Sequence, residues 1–347
     1  MKRHALPPPR PALAPPDAPA GAGALDVGSL YGRPETGDLT LTRGTLADPR
    51  PATASGRWLF SPMSGRFRAL RRDLVHYVSK NLYPRIPFVD WPYSEQLRRN
   101  LTVSETSVAL PGLEGGLAGT KVLFVSDVHV GPFLNPATLE RTFKKLVSLR
   151  PDLILIGGDI ATSHLAEFEP YTDAFRLLRA PLGVFAVLGN HDHYTNEPIR
   201  LRECLEETGT RVLHNDSVTL ERGGNRLILA GIDDLMVGEP DLDAALGEAD
   251  RWPDAEPRPP VVLLSHNPDV FFEAARRGVN LVLSGHTHGG QIRIPGLPVL
   301  VRQSRFRLDE GRYALNGSEL VVSRGLGADG LPLRVACSPE AILLRFE

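Results

Sequence analysis

The stretch Leu283-Ser284-Gly285-His286-Thr287-His288-Gly289-Gly290-Gln291 is an apolar run that ends in two histidines one residue apart, flanked by glycines. In extended backbone, residues i and i+2 point the same way, so His286 and His288 can present both imidazoles to one side. Neutral imidazole suits Zn, Fe, Mn or Ni, and glycine lets the backbone approach an ion closely. Taken alone, the pair reads equally well as two polar loop residues. Four other apolar runs end in the same kind of chemistry. Residues 122–126 run into Asp127-Val128-His129, 153–156 into Gly158-Asp159, 184–188 into Gly189-Asn190-His191-Asp192, and 261–265 into His266. Ligands in open α/β sheets collect outside the carboxyl ends of strands. The combined donors exceed what one ion needs and suit two. A bridging carboxylate can hold two ions ~3.5 to 4 Å apart, the separation that clamps the attacking and leaving oxygens of an in-line phosphoryl displacement. Mixed nitrogen and oxygen ligands favour Mn, Fe or Zn over Mg or Ca, which prefer oxygen shells.

The elements that must position these groups follow from periodicity. Residues 122–126, 153–156, 184–188, 261–265 and 281–284 read as short buried strands, and 101–110 as an edge strand. Helices are expected over 135–149, with Asn135 as cap and Pro136 at the first position, and over 170–178, 198–208 and 268–277. Residues 211–232 read as shorter strands around a Gly223-Gly224 turn, and 314–323 and 341–346 complete the sheet region. Strands alternating with helices argue for an α/β domain, and the paired strands of the second half suggest two packed sheets with helices outside.

Composition narrows the function. The 347 residues, 42% hydrophobic and 23% charged, suffice for one large α/β domain with an extension. A net charge of -2 provides no global basic field, which speaks against long nucleic acid as a partner. Cys204 and Cys337 lie far apart and form no metal or redox motif, so two reduced thiols and a cytoplasmic setting are expected. The sequence shows no apolar span long enough to cross a membrane and no secretory h-region. Residues 1–56, rich in Pro, Ala and Gly, read as a disordered tail, and 57–119 as a basic amphipathic helical segment with its lead-in. In that segment Phe67, Leu70, Leu74 and Val78 recur at helical spacing beside Arg66, Arg68, Arg71, Arg72 and Lys80. Such a helix either braces the catalytic domain or makes peripheral contact with an anionic inner membrane through residues 57–93, helped by Trp58, Phe60, Phe88, Trp91 and Tyr93. The brace is preferred, since a domain of this size has surface for one more helix. Arg71-Arg72 is followed by no h-region, so it is not a twin-arginine signal.

The series Asp127-x-His129, Gly158-Asp159, Gly189-Asn190-His191-Asp192, His266 and Gly285-His286-x-His288 resembles, in order and spacing, the calcineurin-like metallophosphoesterases over residues 120–347. With Ala230-Gly231-Ile232-Asp233-Asp234 before the last motif and Ser323-Arg324-Gly325-Leu326-Gly327 after it, the chain is similar to the bacterial YkuE/YaeI-type branch. The resemblance implies a four-layer α-β-β-α sandwich of two packed mixed sheets flanked by helices, and a phosphodiesterase. It implies two divalent or trivalent transition metal ions (Mn, Fe or Zn). Asp127, His129, Asp159 and His288 would hold the first, and Asp159 would bridge to the second, which also takes Asn190, His266 and His286. His191 would face the substrate and protonate the leaving alkoxide, oriented by Asp192. A water bridging two cations is a hydroxide near neutral pH and can attack in line, whereas an alcohol leaving group needs a proton source. His193 stands where family members often have an aromatic residue, and a change in substrate contact is expected there. The transmembrane helix of many relatives is absent.

The expected substrate is a small-molecule phosphoester; a lipid-linked one, such as a UDP-acyl-sugar pyrophosphate, is the alternative. No obligate protein partner is evident. A non-catalytic protein-binding scaffold of the same fold would not need His191 beside a complete ligand set. His164 and His214 are expected at the surface, Asp233 and Asp234 as turn caps, and Arg324 either on a second phosphate or bonding loop carbonyls.

Overall fold

In chain order the strands are β1 (Lys2–Ala5), β2 (Arg10–Pro11), β3 (Thr102–Val108), β4 (Lys121–Val125), β5 (Leu153–Gly157), β6 (Val184–Val187) and β7 (Arg211–Val212). They continue as β8 (Asp216–Arg222), β9 (Asn225–Gly231), β10 (Val261–Leu264), β11 (Leu281–Ser284), β12 (Gly311–Leu315), β13 (Ser318–Val322) and β14 (Glu340–Phe346). These come from a computed structural model that describes residues 2–5, 10–11, 77–78, 81–113, 115–253, 256–295, 297, 299 and 302–347. One sheet has the order β1-β3-β14-β4-β5-β6-β7 and the other β2-β12-β13-β11-β10-β9-β8. Both are mixed. β4, β5, β6 and β7 run parallel in the first, as do β9, β10, β11 and β13 in the second, with β14, β8 and β12 forming antiparallel pairs.

The layers follow from which face of each strand is apolar. Phe124, Leu155, Val187, Leu229, Leu264, Leu283 and Phe346 meet in the core between the sheets. The opposite face of the first sheet, including Leu123 and Ile154, is covered by α1 (Trp91–Asn100), α2 (Pro136–Val147), α3 (Thr172–Arg176) and α5 (Pro198–Glu207); the short α4 (Asn190–Tyr194) lies between the last two in sequence. The outer face of the second, including Leu263 and Val282, is covered by α6 (Leu242–Asp250) and α7 (Phe271–Arg276). The result is the expected four-layer sandwich. Strands buried on both faces read as continuous apolar runs rather than alternating ones.

Local signals set the helix boundaries. Asn135 caps α2, its side chain accepting from the Ala137 N–H, with Pro136 at the first position. α6 is not among the expected helices, although Leu242, Ala245, Leu246 and Ala249 have helical spacing and Asp241 caps it; four acidic residues within 241–250 dilute the pattern. The expected tail also contains more order than its composition suggests. Lys2–Ala5 pairs in parallel with β3, and Arg10–Pro11 with β12, because a bare sheet edge can bind backbone whatever the side chains are. β3 is therefore interior, between β1 and β14, and not the edge strand expected.

Of the amphipathic segment, Phe67, Leu70, Leu74, Trp58 and Phe60 lie outside the described residues. Val78 is half-buried, Phe88 and Trp91 are exposed, and Tyr93 is fully buried, its hydroxyl donating to the Leu326 and Gly327 carbonyls. Tyr93 and Leu97 bury one face of α1 against the first sheet's outer layer, which removes Tyr93 from any membrane-facing set, whereas the helix expected to act as a brace lies mostly outside the described residues. Among the described residues no helix is long and apolar enough to cross a membrane.

Phe124 is fully buried at the centre of the inter-sheet core, against Gly157 of the neighbouring strand. Phe124→Ala is expected to lower unfolding free energy by about 3 to 5 kcal/mol in a denaturant titration, through lost transfer energy and the cavity left behind. A change under about 1 kcal/mol would contradict this packing.

Candidate metal centre

Parallel register brings the chemistry together. With Val125 opposite Ile156, the chain leaving β4 continues beside the chain leaving β5, so the Asp127 N–H donates to Gly158 O (2.9 Å) and the His129 N–H to Asp159 O (3.0 Å). In the other sheet Leu264 pairs with Leu283, and the Gly285 N–H donates to His266 O (3.0 Å). The two sheet edges are then tied across. Asp127 Oδ1 accepts the His286 N–H (2.9 Å), and the His266 ring Nδ1 lies 2.7 Å from Gly157 O.

These turns require unusual backbone. Asp127, His129, Asp159, His286 and His288 all have φ between 47° and 70°, the left-handed region that side chains avoid. Each such position costs about 1 to 3 kcal/mol and persists only where its surroundings over-determine it, which happens chiefly at functional sites. Two glycines make the close approach possible. A Cβ on Gly189 would stand 2.3 Å from Asp159 Oδ1, and one on Gly285 would stand 2.3 Å from Asp127 Oδ2.

Three donor groups result, one of them, His129 with His191 and Asp329, half-buried at the edge of the other two. The ligand atoms of Asp127, His129, Asp159 and His288 lie within 4.8 Å of one another, and so do those of Asp159, His266 and His286. Asp159 belongs to both. Asn190, the remaining expected ligand, is buried beside them with an Oδ1 that has no partner, and its neighbour His191 donates its backbone N–H to Asp159 Oδ1. The groups are chemically suited to a cation. His129 Nε2 and His288 Nε2 face each other at 3.1 Å, and both ring nitrogens of His286 are buried without a hydrogen bond. If the His266 Nδ1–H donates to Gly157 O, the Nε2 lone pair faces Asp159 Oδ2 at 3.1 Å, a distance without hydrogen-bond alignment. Acceptors buried against acceptors are costly unless something positive lies between them.

The electrostatics express the same frustration. Burial pulls His129 down to about 4 and His286 down to about 3, so both are neutral lone-pair donors at pH 7. Burial pushes Asp127 up to about 6. Burial also pushes Asp159 upward, but the surrounding His266, His191 and His129 outweigh it and hold the carboxyl well below the usual range. For His266 burial favours the neutral ring, yet Asp159 outweighs it and raises the imidazole to about 10, so a proton takes the place of a cation.

The structure revises one expected role. Asp192 does not touch the His191 ring; its carboxylate accepts the backbone N–H groups of Ile160, Ala161 and Gly189 and so ties two site loops together. The ring is held instead by Thr162, whose carbonyl lies 2.8 Å from Nδ1. Three further residues lie beside the site, Asp329 and Arg334, which no motif marks, and Cys337, expected only as a reduced thiol. Asp329 Oδ2 stands 3.6 Å from His191 Nε2, while Arg334 is buried under His288, bonding its carbonyl and lying 3.3 Å from its Nδ1. The Cys337 thiol donates to the same carbonyl. They lie in an irregular segment without periodicity, so only the Arg and Cys in an otherwise apolar context could have drawn notice.

The other residues singled out are placed elsewhere. Arg324 faces Glu340 (3.0 Å) and Glu310 (3.9 Å) as an ion-pair partner, and among the described residues its side chain bonds no loop carbonyl. Asp234 accepts from Met236 and Val237 N–H groups as a turn cap, and Asp233 accepts from Asp234 and Glu239 and from the His193 ring (2.8 Å). His193 is thus engaged with Asp233. His164 is half-buried and His214 exposed; neither joins the donor groups.

Two packed mixed sheets whose strand ends converge on buried Asp and His donors define an α/β metallohydrolase, and this chain is a metal-dependent phosphoester hydrolase. It belongs to the calcineurin-like phosphoesterases, whose family pattern matches residues 120–290. It is 33% identical over 230 residues to the uncharacterized metallophosphoesterase YkuE of Bacillus subtilis (strain 168), spanning 65% of this chain and 78% of that protein. An uncharacterized metallophosphoesterase of Aquifex aeolicus (strain VF5) is 31% identical over 228 residues, 65% of this chain and 85% of its own. Phosphodiesterase YaeI of Escherichia coli (strain K12) is 29% identical over 234 residues, with 65% and 82% covered.

Two outcomes are expected. A cation must displace the His266 proton held at neutral pH, so titrating Mn into metal-free protein at pH 7 should release about one proton or more. Calorimetry in buffers of different ionisation enthalpy reads this directly, and heats independent of buffer would contradict it. Gly285→Ala should abolish metal uptake by elemental analysis while far-ultraviolet circular dichroism shows the sheets intact, because its Cβ falls on Asp127.

Proposed function

We propose that this protein is a phosphodiesterase with a dinuclear centre, in which Asp127, His129, Asp159 and His288 hold one ion and Asp159, Asn190, His266 and His286 the other. The observation that carries the reading is Asp159, a single buried carboxylate common to two compact donor groups. Mn, Fe or Zn fits the nitrogen-rich donors, and such ions, when bound, neutralise phosphate charge and make a water nucleophilic near pH 7.

The chain's own residues account for the rest. His191 lies in neither group that contains Asp159 but in a third with His129 and Asp329; its ring is partly exposed, with Nδ1 against Thr162 O and Nε2 3.6 Å from the Asp329 carboxylate. From there it can hand a proton to the leaving oxygen. Burial disfavours the charged ring, but Asp329 and Asp159 outweigh this and raise its pKa, which keeps the acid form available near neutrality. Asp192 fixes the loop from which His191 projects. The substrate favoured is a small-molecule diester, in keeping with the name of the YaeI relative.

One observation favours a lipid-linked substrate as a second reading. Ile294, Leu297, Leu331, Leu333 and Val335 are exposed on the segments that follow His288 and Asp329, and Phe88 is 83% exposed on the segment docked against them through Tyr83 and Gly330. Apolar side chains around a phosphoester site suit a substrate with an apolar part.

A panel of monoesters, diesters, nucleotide pyrophosphates and lipid headgroups, tested with Mn-loaded enzyme, ranks these readings; activity confined to monoesters would reject both. Roles separate by variant. Asp159→Ala should lose the metal and nearly all turnover. His191→Ala should keep the metal and lose about 10²- to 10⁴-fold in kcat on alkyl esters but far less on nitrophenyl esters, which leave without a proton. Equal metal loss in both variants would contradict the division into ligand and acid.

A further inference from the structure

The carboxylate of Asp329 stands out because its main chain is tied down while its side chain, which faces His191, makes no hydrogen bond. Gln291, three residues beyond His288, clamps this position from both sides. Its Oε1 accepts the Asp329 N–H (3.0 Å), and its Nε2 donates to Asp329 O (2.8 Å). The next carbonyl, of Gly330, accepts the Tyr83 hydroxyl (2.9 Å). Among the described residues no hydrogen bond reaches the Asp329 carboxylate; it stands 3.6 Å from His191 Nε2, beyond hydrogen-bond length, and within 4.8 Å of a His129 ring nitrogen. A structural aspartate normally spends its oxygens on backbone N–H groups, as Asp192 and Asp234 do here. Asp329 instead holds a negative charge at the mouth, about a fifth exposed (22%), beside the group that meets the leaving oxygen.

We propose that Asp329 is a substrate-contacting specificity residue that selects phosphodiesters over phosphomonoesters by its charge, a role that rests on the phosphodiester reading above. A diester brings one negative charge to the site and a monoester dianion brings two. The donor groups favour both, but a fixed carboxylate beside the leaving-group side opposes the second charge. At such separations and an effective dielectric constant of about 20, a unit charge is worth tenfold or more in relative binding. The diester's second ester group carries no charge and can lie against Asp329, and a hydroxyl on it can donate to the free oxygens.

The test compares Mn-loaded wild type with Asp329→Asn, which keeps shape and removes charge, and Asp329→Glu, which keeps charge. Nitrophenyl phosphate and bis(nitrophenyl) phosphate share a leaving group and are assayed where the monoester is a dianion. In Asp329→Asn the diester-to-monoester ratio of kcat/KM should fall about tenfold or more, with Mn content unchanged, while Asp329→Glu stays nearer wild type. Calorimetric affinity for inorganic phosphate, which needs no turnover, should tighten by a similar factor in Asp329→Asn only. An unchanged ratio with unchanged phosphate affinity overturns the proposal, as does loss of Mn, which would make Asp329 an ion ligand. If wild type hydrolysed neither ester while phosphate binding still tightened, the hydrolase reading would fail and the charge role would stand.

Discussion

The fold turns on placing one carboxylate, that of Asp159, where it is buried and surrounded by imidazoles. A buried carboxylate is tolerated only when paired, and here the partners come from both sheets: His129 from the end of β4, His266 from the end of β10, and the His191 backbone N–H from the start of α4. The site therefore exists only if the two sheets pack with their carboxyl edges aligned. The apolar core between them, from Phe124 to Leu283, sets that alignment. Packing energy far from the chemistry holds the donors at their spacing.

Backbone strain is the second expression of the same constraint. Five of the buried Asp and His donors adopt left-handed φ, and their backbones are tied to neighbouring loops, as Asp127 is to Gly158 and His129 to Asp159. Asp192 contributes without facing the substrate, since it gathers three N–H groups from two loops and stops them moving independently. Precision at the ring of His191 is inherited from Thr162 O and from this loop tie. Such preorganisation matters because a donor displaced by an ångström no longer binds or transfers a proton efficiently.

Segments around the centre are braced by contacts from elsewhere in the chain. The 326–337 region is irregular, yet it is held by Tyr83, Tyr93, Gln96 and Gln291 from two other parts of the chain and by its own Arg334. That bracing lets the segment carry both a charged residue and exposed leucines at the mouth without collapsing onto the site. It also explains why α1 belongs with the catalytic unit: its buried face reaches residues that follow β13.

By itself the sequence determined the strand ends and what they carry. Short apolar runs terminating in Asp, His, Asn and Gly are visible because a strand buried on both faces has a continuous apolar signature, and because chemistry collects at carboxyl ends. Asn135 with Pro136 likewise marked α2, since capping is local. Only the tertiary structure could decide three things. It decided that Asp192 bonds backbone while Thr162 holds His191, because hydrogen-bond partners thirty residues apart leave no spacing signal. It decided that Asp329 and Arg334 reach the centre, because they sit in a segment with no period, held by side chains distant in sequence. And it decided that Tyr93 faces the core while Phe88 and Trp91 face solvent, because an amphipathic pattern states which residues share a side but not what that side meets.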